Sequence, residues 1–252
     1  MSKRILTPYE HNQILQYHKE DLDLNNIGET PVEYLTGHAQ FRHLDFLVNR
    51  SVLIPRLETE QIVDLVKDFA PRLWQTEKQL SIVDVGTGSG CLGISASLEL
   101  DRIGFHRQTI TLIDRSEEAL KIARINTERL LTKNLQPTFT RSNLLDNYHG
   151  PKIDLLIANL PYIPTSRIPK LETSVKDFEP IIALDGGPNG TTLINLLLDQ
   201  IYSFLSSVFL VILEVDHTNK LEDFHLRDDW DVELKKDDFD HTRFLIIKSH
   251  NI

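Results

Sequence analysis

Four residues, Asn159-Leu160-Pro161-Tyr162, end an almost unbroken apolar run, Ile153-Asp154-Leu155-Leu156-Ile157-Ala158. Such a run predicts a strand buried on both faces, as in a parallel sheet. Pro161 and Pro164 then bar ladder pairing and helix alike. Asn159 is thereby expected at the carboxyl end of a central strand, the edge where open α/β sheets bind ligands. An amide carbonyl, a loop backbone carbonyl and an aromatic ring can hold a planar amino or amide group. The carbonyls accept its N–H bonds while the ring packs on its face. A strand-ending turn accounts for the same residue types, since Asn and Pro are common in turns.

A second stretch, Asp84-Val85-Gly86-Thr87-Gly88-Ser89-Gly90, follows one predicted strand and opens a helix. Glycines there let the backbone turn tightly and approach a ligand. The spacing is G-x-G-x-G, and the last glycine of the dinucleotide pattern G-x-G-x-x-G would fall on Cys91. The next strand ends at Asp114, 24 residues past Gly90, where a carboxylate can accept both ribose hydroxyls of an adenosine. A tight turn would explain the loop alone. Strand, loop, helix, strand and acid in that order suit S-adenosylmethionine better than a nicotinamide dinucleotide.

The elements that must position these residues follow an alternating pattern. Residues 8–24 form a short helical pattern, ended by Asn25-Asn26-Ile27-Gly28. Pro31 to Leu53 alternates strand-like runs with turn points at Gly37 and Asn49, which suggests a hairpin. A helix is expected from Glu58 to Phe69, closed by Pro71. Strands are expected at 80–85, 109–113, 138–140, 153–158 and 208–215, with helices at 91–100, 117–131 and 193–205. Ser116 is placed to cap the helix that begins at Glu117. Two final strands, 230–234 and 243–248, have no helix between them and predict an antiparallel hairpin. The whole reads as α/β, a parallel sheet with helices on both faces.

Composition narrows the function classes. A single cysteine, Cys91, excludes a disulfide framework and a cysteine-rich zinc site, and suits the cytoplasm. The ten histidines include no H-x-x-x-H pair, so no metal is expected. The start, Met1-Ser2-Lys3-Arg4-Ile5, lacks a signal-peptide core, and no apolar stretch is long enough to span a bilayer. The net charge of −10 lies mostly between Glu214 and Asp240, where 11 acids face 4 bases. That stretch reads as an acidic solvated surface, and no basic stripe offers itself to nucleic acid.

The glycine loop, Asp114 and Asn159-Leu160-Pro161-Tyr162 together resemble the amino-methylating methyltransferases, whose signature is Asn-Pro-Pro-Tyr. More narrowly, the chain resembles the HemK-type release factor glutamine methyltransferases in three stretches. The first is Pro31-Val32-Glu33-Tyr34-Leu35-Thr36-Gly37, and the second Leu53-Ile54-Pro55-Arg56-Leu57-Glu58-Thr59-Glu60. The third joins Asp177-Phe178-Glu179-Pro180 to Ala183-Leu184-Asp185-Gly186-Gly187 and Gly190. The resemblance implies a seven-stranded, Rossmann-like class I methyltransferase sheet over residues 55–252. It also implies a β-hairpin linker at 31–54 and a shortened helical segment at 1–30 in place of the family's helical bundle. It implies that Gly86, Thr87, Gly88, Ser89 and Gly90 hold the methionine end of S-adenosylmethionine, and Asp114 its ribose. Asn143 and Leu144 would flank the adenine, with Asn143 standing where the family commonly has Asp. Asn159 and the Leu160 carbonyl would bind a substrate amide in a pocket shaped by Pro161 and Tyr162. Leu160 and Leu57 replace family prolines, which affects loop stiffness rather than the carbonyl contact.

The reaction so implied is methylation of the glutamine in the Gly-Gly-Gln loop of a peptide-chain release factor, a protein substrate. No nucleic-acid or membrane partner is expected, and the sequence leaves the oligomeric state open. Two other readings use the same residues: a nucleic-acid or small-molecule amino-methyltransferase, and a cofactor-binding interaction module without catalysis.

Overall fold

The computed structural model describes residues 4–250 apart from 18, 20, 24 and 133. The sequence readings placed on Met1 to Lys3, and on 18, 20 and 24, lie outside the described residues.

Helix α1 (Pro8–Gln16) starts at Thr7, whose hydroxyl accepts from Glu10 N at 3.2 Å while the Glu10 carboxylate accepts from Thr7 N at 2.8 Å. Proline at the first position and this reciprocal cap fix its start. It ends well before residue 24. Tyr17 leaves the helical backbone, stacks on His38 with ring centroids 3.8 Å apart and donates to Asp45 Oδ1 at 2.7 Å. A tertiary aromatic contact there outweighs the helical periodicity of the sequence.

The expected strand at Pro31–Thr36 is instead helix α2 (Val32–Thr36), with Gly37 at φ 84° closing it. Pro31 pre-sets the entry and a left-handed glycine supplies the exit. The hairpin is shorter than expected: β1 (His38–Phe41) pairs antiparallel with β2 (Leu44–Leu47). Its turn lies at Arg42 and His43, both with positive φ, as a tight two-residue hairpin turn requires. The Arg42 amide donates to Glu60 Oε1 at 2.9 Å, tying the turn to the next helix.

Helix α3 (Leu57–Leu73) runs past Pro71, which sits in its last turn. Proline forfeits only its own donor there, and Trp74 N still reaches Ala70 O at 2.9 Å. Then β3 (Leu80–Val85), α4 (Cys91–Arg102), β4 (Gln108–Asp114), α5 (Glu117–Leu130), β5 (Thr138–Arg141) and β6 (Ile153–Ala158) follow as the sequence pattern indicated. Ser116 caps α5, accepting from Ala119 N at 3.2 Å. Beyond β6 lie the short helix α6 (Thr173–Lys176) and α7 (Thr192–Ile201). Helix α7 stops short of Leu205 because β7 (Leu205–Glu214) begins there, with Leu205 paired to Ile153. Strands β8 (Trp230–Lys236) and β9 (Thr242–Ser249) form the terminal antiparallel hairpin.

The seven strands of the main sheet are ordered β5-β4-β3-β6-β7-β9-β8, with β9 alone running against the rest. This is the α/β architecture that the sequence implied. Alternate residues of each strand feed two cores. Leu155 and Ile157 of β6 pack with α3 and α4 residues such as Ile62 and Ile94, whereas Leu156 and Ala158 pack with Ile194 and Leu198 of α7. The acid in the apolar run of β6, Asp154, is held by Ser81 N at 2.9 Å, Ser206 Oγ at 2.7 Å and Lys78 Nζ at 3.1 Å. The strand order reverses between β3 and β6, so their carboxyl ends open a crevice. Among the described residues, no helix is long and apolar enough to cross a membrane.

Candidate active site

Pairing of β3 with β6 sets Asp84 opposite Ile157 and so brings the glycine loop beside Asn159. A cavity at this edge is lined by Gly86, Thr87, Gly88 and Ser89, by Asp114, by Asn143 and Leu144, and by Asn159, Leu160 and Pro161. The structure thus gathers residues from four strand ends that the sequence singled out separately. Gly90 and Tyr162 are the exceptions, since neither lines the cavity.

Each glycine of the loop has its own reason. Gly86 (φ 74°) lies against the other loop, and a Cβ on it would stand 3.0 Å from Leu160 Cδ2. Gly88 (φ 54°), which lines the cavity, has nothing within 4 Å of where a Cβ would stand. Gly90 (φ 84°) begins α4, and a Cβ would press on Ile94 and Ala123. Leu160 therefore does more than lend a carbonyl: its side chain is 4% exposed and packs beneath Gly86.

The loop is shaped by two acids. Asp84 Oδ2 accepts from Thr87 Oγ1 at 2.6 Å and from Gly93 N at 2.9 Å. Burial nevertheless pushes its carboxyl up to about 7, against those donors. Asp114 accepts from Gly88 N through Oδ2 and from Ser116 N through Oδ1, both at 2.9 Å. A carboxylate has about four acceptor sites, so room remains on these oxygens for a ligand donor such as a ribose hydroxyl. Burial raises this carboxyl as well.

Asn159 donates through Nδ2 to Thr59 Oγ1 at 2.9 Å, and Thr59 donates to Glu214 Oε2 at 2.7 Å. Tyr162 donates its hydroxyl to Glu214 Oε1 at 2.8 Å. With Nδ2 so committed, the Asn159 carbonyl oxygen is the free end of the amide. Glu214 is 1% exposed, and burial raises its carboxyl while Thr59, Tyr162 and Arg243 oppose that rise. Burial and the neighbouring Glu214 drive the Tyr162 phenol well above its ordinary value.

The stretches behind the family resemblance meet around these loops. Arg56 pairs with Glu179 at 2.5 Å, and Ile54 N reaches the same carboxylate at 3.4 Å. A Cβ on Gly186 would stand 2.6 Å from the Pro161 carbonyl oxygen, and one on Gly190 would collide with the Tyr162 carbonyl. Those glycines let the backbone support the Asn-Leu-Pro-Tyr loop from behind.

Sequence reasoning missed Thr59, Glu214 and Asn126. Asn126, fully buried in α5, accepts from Leu47 N at 2.8 Å and donates to Leu47 O at 2.9 Å and to Ser89 O at 2.8 Å. It thereby ties the hairpin to the glycine loop. Glu214, Asp216 and Asp237 belong to the stretch read as a solvated acidic surface, yet all three are buried. Each is satisfied by donors: Asp216 by Arg167 and Thr218, and Asp237 by Arg243, Phe239 N and His241 N. A lone acid closing an apolar strand was the available signal for Glu214.

Comparison with known proteins agrees with this fold. The methyltransferase domain family matches residues 76–240. The chain is 30% identical to the release factor glutamine methyltransferase of Bacillus subtilis over 209 residues, covering 82% of this chain and 67% of that protein. The chain belongs to the release factor glutamine methyltransferase family. The relative of that name from Koribacter versatilis is 38% identical over 75% of this chain and 63% of its own length. That from Moorella thermoacetica is 39% identical, over 73% and 62%. The chain therefore spans a little over three fifths of the length of these two family members. Among solved structures, the ribosomal protein L11 methylase of Lactobacillus delbrueckii aligns with a TM-score of 0.50 at 21% identity, covering 77% of this chain and 78% of that one. TrmN of Thermus thermophilus aligns at 0.51 and 15%, over 75% and 48%. These two share the fold.

Proposed function

We propose that this protein transfers a methyl group from S-adenosylmethionine to the side-chain amide nitrogen of a protein glutamine, that of the Gly-Gly-Gln loop of a peptide-chain release factor. The observation that carries the reading is Asn159, with its Nδ2 tied to Thr59 and its carbonyl left to accept, beside a glycine loop and Asp114. The residues present fit the cofactor, because Gly88 leaves open the space a side chain would fill and Asp114 keeps lone pairs for a ribose. Gly86 to Ser89 would hold the amino-acid end, and Asn143 and Leu144 the adenine. Bound there, S-adenosylmethionine supplies an electrophilic methyl group on a sulfonium.

The chain's own part is orientation. An amide nitrogen is a weak nucleophile because its lone pair is delocalised into the carbonyl. Asn159 Oδ1 and the Leu160 carbonyl accept its two N–H bonds and favour positive charge developing on that nitrogen. The methylated amide nitrogen, positively charged, is acidic enough to give up one proton to water, so no strong base is needed. An exocyclic amino group would offer the same two donors. Family membership and the 31–60 and 177–190 stretches favour glutamine instead. On this reading the partner is a release factor, the setting is the cytoplasm, and residues 31–54 act as a linker between the N-terminal segment that carries α1 and the methyltransferase domain.

Mass spectrometry of a release factor incubated with protein and S-adenosylmethionine tests the reading. A gain of one methyl on the Gly-Gly-Gln glutamine is expected. An unmodified release factor, with methyl transferred to another protein or a nucleic acid, overturns the substrate.

A further inference from the structure

We propose that Glu214 is a positioning residue which, acting through Thr59, sets which end of the Asn159 amide faces the substrate. The inference rests on the proposed methyl transfer for its purpose, but its geometry is independent of any substrate.

An asparagine amide has nearly the same shape with its oxygen and nitrogen exchanged, so packing alone does not choose between them. A donor or acceptor of fixed sign must choose. Thr59 alone is no such group, because a hydroxyl can give or take a hydrogen bond. Its proton is committed elsewhere: Oγ1 donates to Glu214 Oε2 at 2.7 Å, so only a lone pair is left toward Asn159. That lone pair accepts Nδ2 at 2.9 Å. In its ionised form, which Thr59, Tyr162 and Arg243 favour against the effect of burial, the carboxylate has no proton to give and makes the direction one-way. Tyr162, whose hydroxyl donates to Glu214 Oε1 at 2.8 Å, holds the other oxygen in place.

Thr59 is 3% exposed and Glu214 1% exposed, so water does not compete for either contact. The relay joins the first turn of α3, the end of β7 and the loop after β6, whose members lie 52 to 155 residues apart in sequence. Reversed, the amide would present N–H groups to a nitrogen that itself carries two N–H bonds. Donor would face donor and the acceptor would be lost. The relay thus selects a nitrogen nucleophile bearing hydrogens.

The test compares Thr59→Val, Thr59→Ser and Glu214→Leu in the full chain. Val keeps the shape of Thr without the hydroxyl, Ser keeps the hydroxyl, and Glu214→Leu frees the Thr59 proton without touching Asn159. Expected are kcat losses on the order of 10²-fold for Thr59→Val and Glu214→Leu, with Thr59→Ser within about threefold of the parent. The Kd for S-adenosylmethionine should stay within about threefold in all of them. A second readout needs no substrate. The side-chain amide signal of Asn159, assigned by its loss in Asn159→Asp, should show a nuclear Overhauser contact to the Thr59 methyl in the parent and lose it in Glu214→Leu. If Glu214→Leu does not fold, the Thr59 pair decides alone. Unchanged kcat in Thr59→Val overturns the proposal. So does a fall in kcat matched by equal falls in cofactor affinity and Tm with the amide contact intact. Because that contact is read on the protein alone, a parent enzyme that leaves release factor unmethylated counts against the substrate and not against the relay.

Discussion

Replacing Asp114 by Asn separates two duties of one carboxylate. In the folded protein its two oxygens take Gly88 N and Ser116 N at 2.9 Å each, and the same oxygens keep lone pairs facing the cavity. An asparagine must turn its NH₂ toward one of those amides, setting donor against donor, and it brings no charge for a ribose hydroxyl. Losing one hydrogen bond to a charged acceptor costs about 1.5–3 kcal/mol. At about 1.4 kcal/mol per decade, Kd for S-adenosylmethionine should rise roughly 10- to 150-fold. Stability should change little, because the lost contact is offset by removing a carboxylate whose charged form burial already disfavours. A Tm shift within about 4 °C is expected for a domain of this size. Titration calorimetry and thermal unfolding of the same preparations measure both. A Kd within threefold of the parent for both Asp114→Asn and Asp114→Ala would refute the assignment of this carboxylate to the cofactor.

Asn159→Ala should leave cofactor Kd within about tenfold but lower kcat on the order of 10²-fold, read by steady-state methylation of release factor. Gly93→Ala places a Cβ 2.6 Å from Leu112 Cδ2 and 2.9 Å from Asp84 Cβ, so overpacking should cost about 1–3 kcal/mol in urea unfolding. A neutral substitution would mean that α4 can lift off β3 and β4 freely. Asp84, with its carboxyl raised to about 7, holds its proton more tightly folded than unfolded. Its contribution is thus fully present below about pH 4 and is lost as pH rises to about 7. Parent stability measured against Asp84→Asn should therefore fall by up to about 4 kcal/mol across that window, at about 1.36 kcal/mol per pH unit. A difference independent of pH would exclude the titration.

The sequence by itself determined the main sheet and most of the cavity wall. The apolar runs at 80–85 and 153–158 could be satisfied only by burial on both faces. The glycine loop and Asp114 lie within one β-α-β unit, so their meeting follows from local spacing. Ser116 likewise caps α5 through a contact three residues away. What the chain order concealed was every decision made by a distant partner. Tyr17 left its helix for His38 and Asp45. Val32 to Thr36 became a helix between Pro31 and a left-handed Gly37. Asn126 looked like one more polar helix residue until Leu47 and Ser89 closed around it. Glu214 could not be told from the acids that follow it, because an acid's place inside or outside depends on which donors reach it. Thr59 and Tyr162 arrive from 155 and 52 residues away. A buried carboxylate is tolerated only where such donors converge, and their convergence is a property of the folded chain.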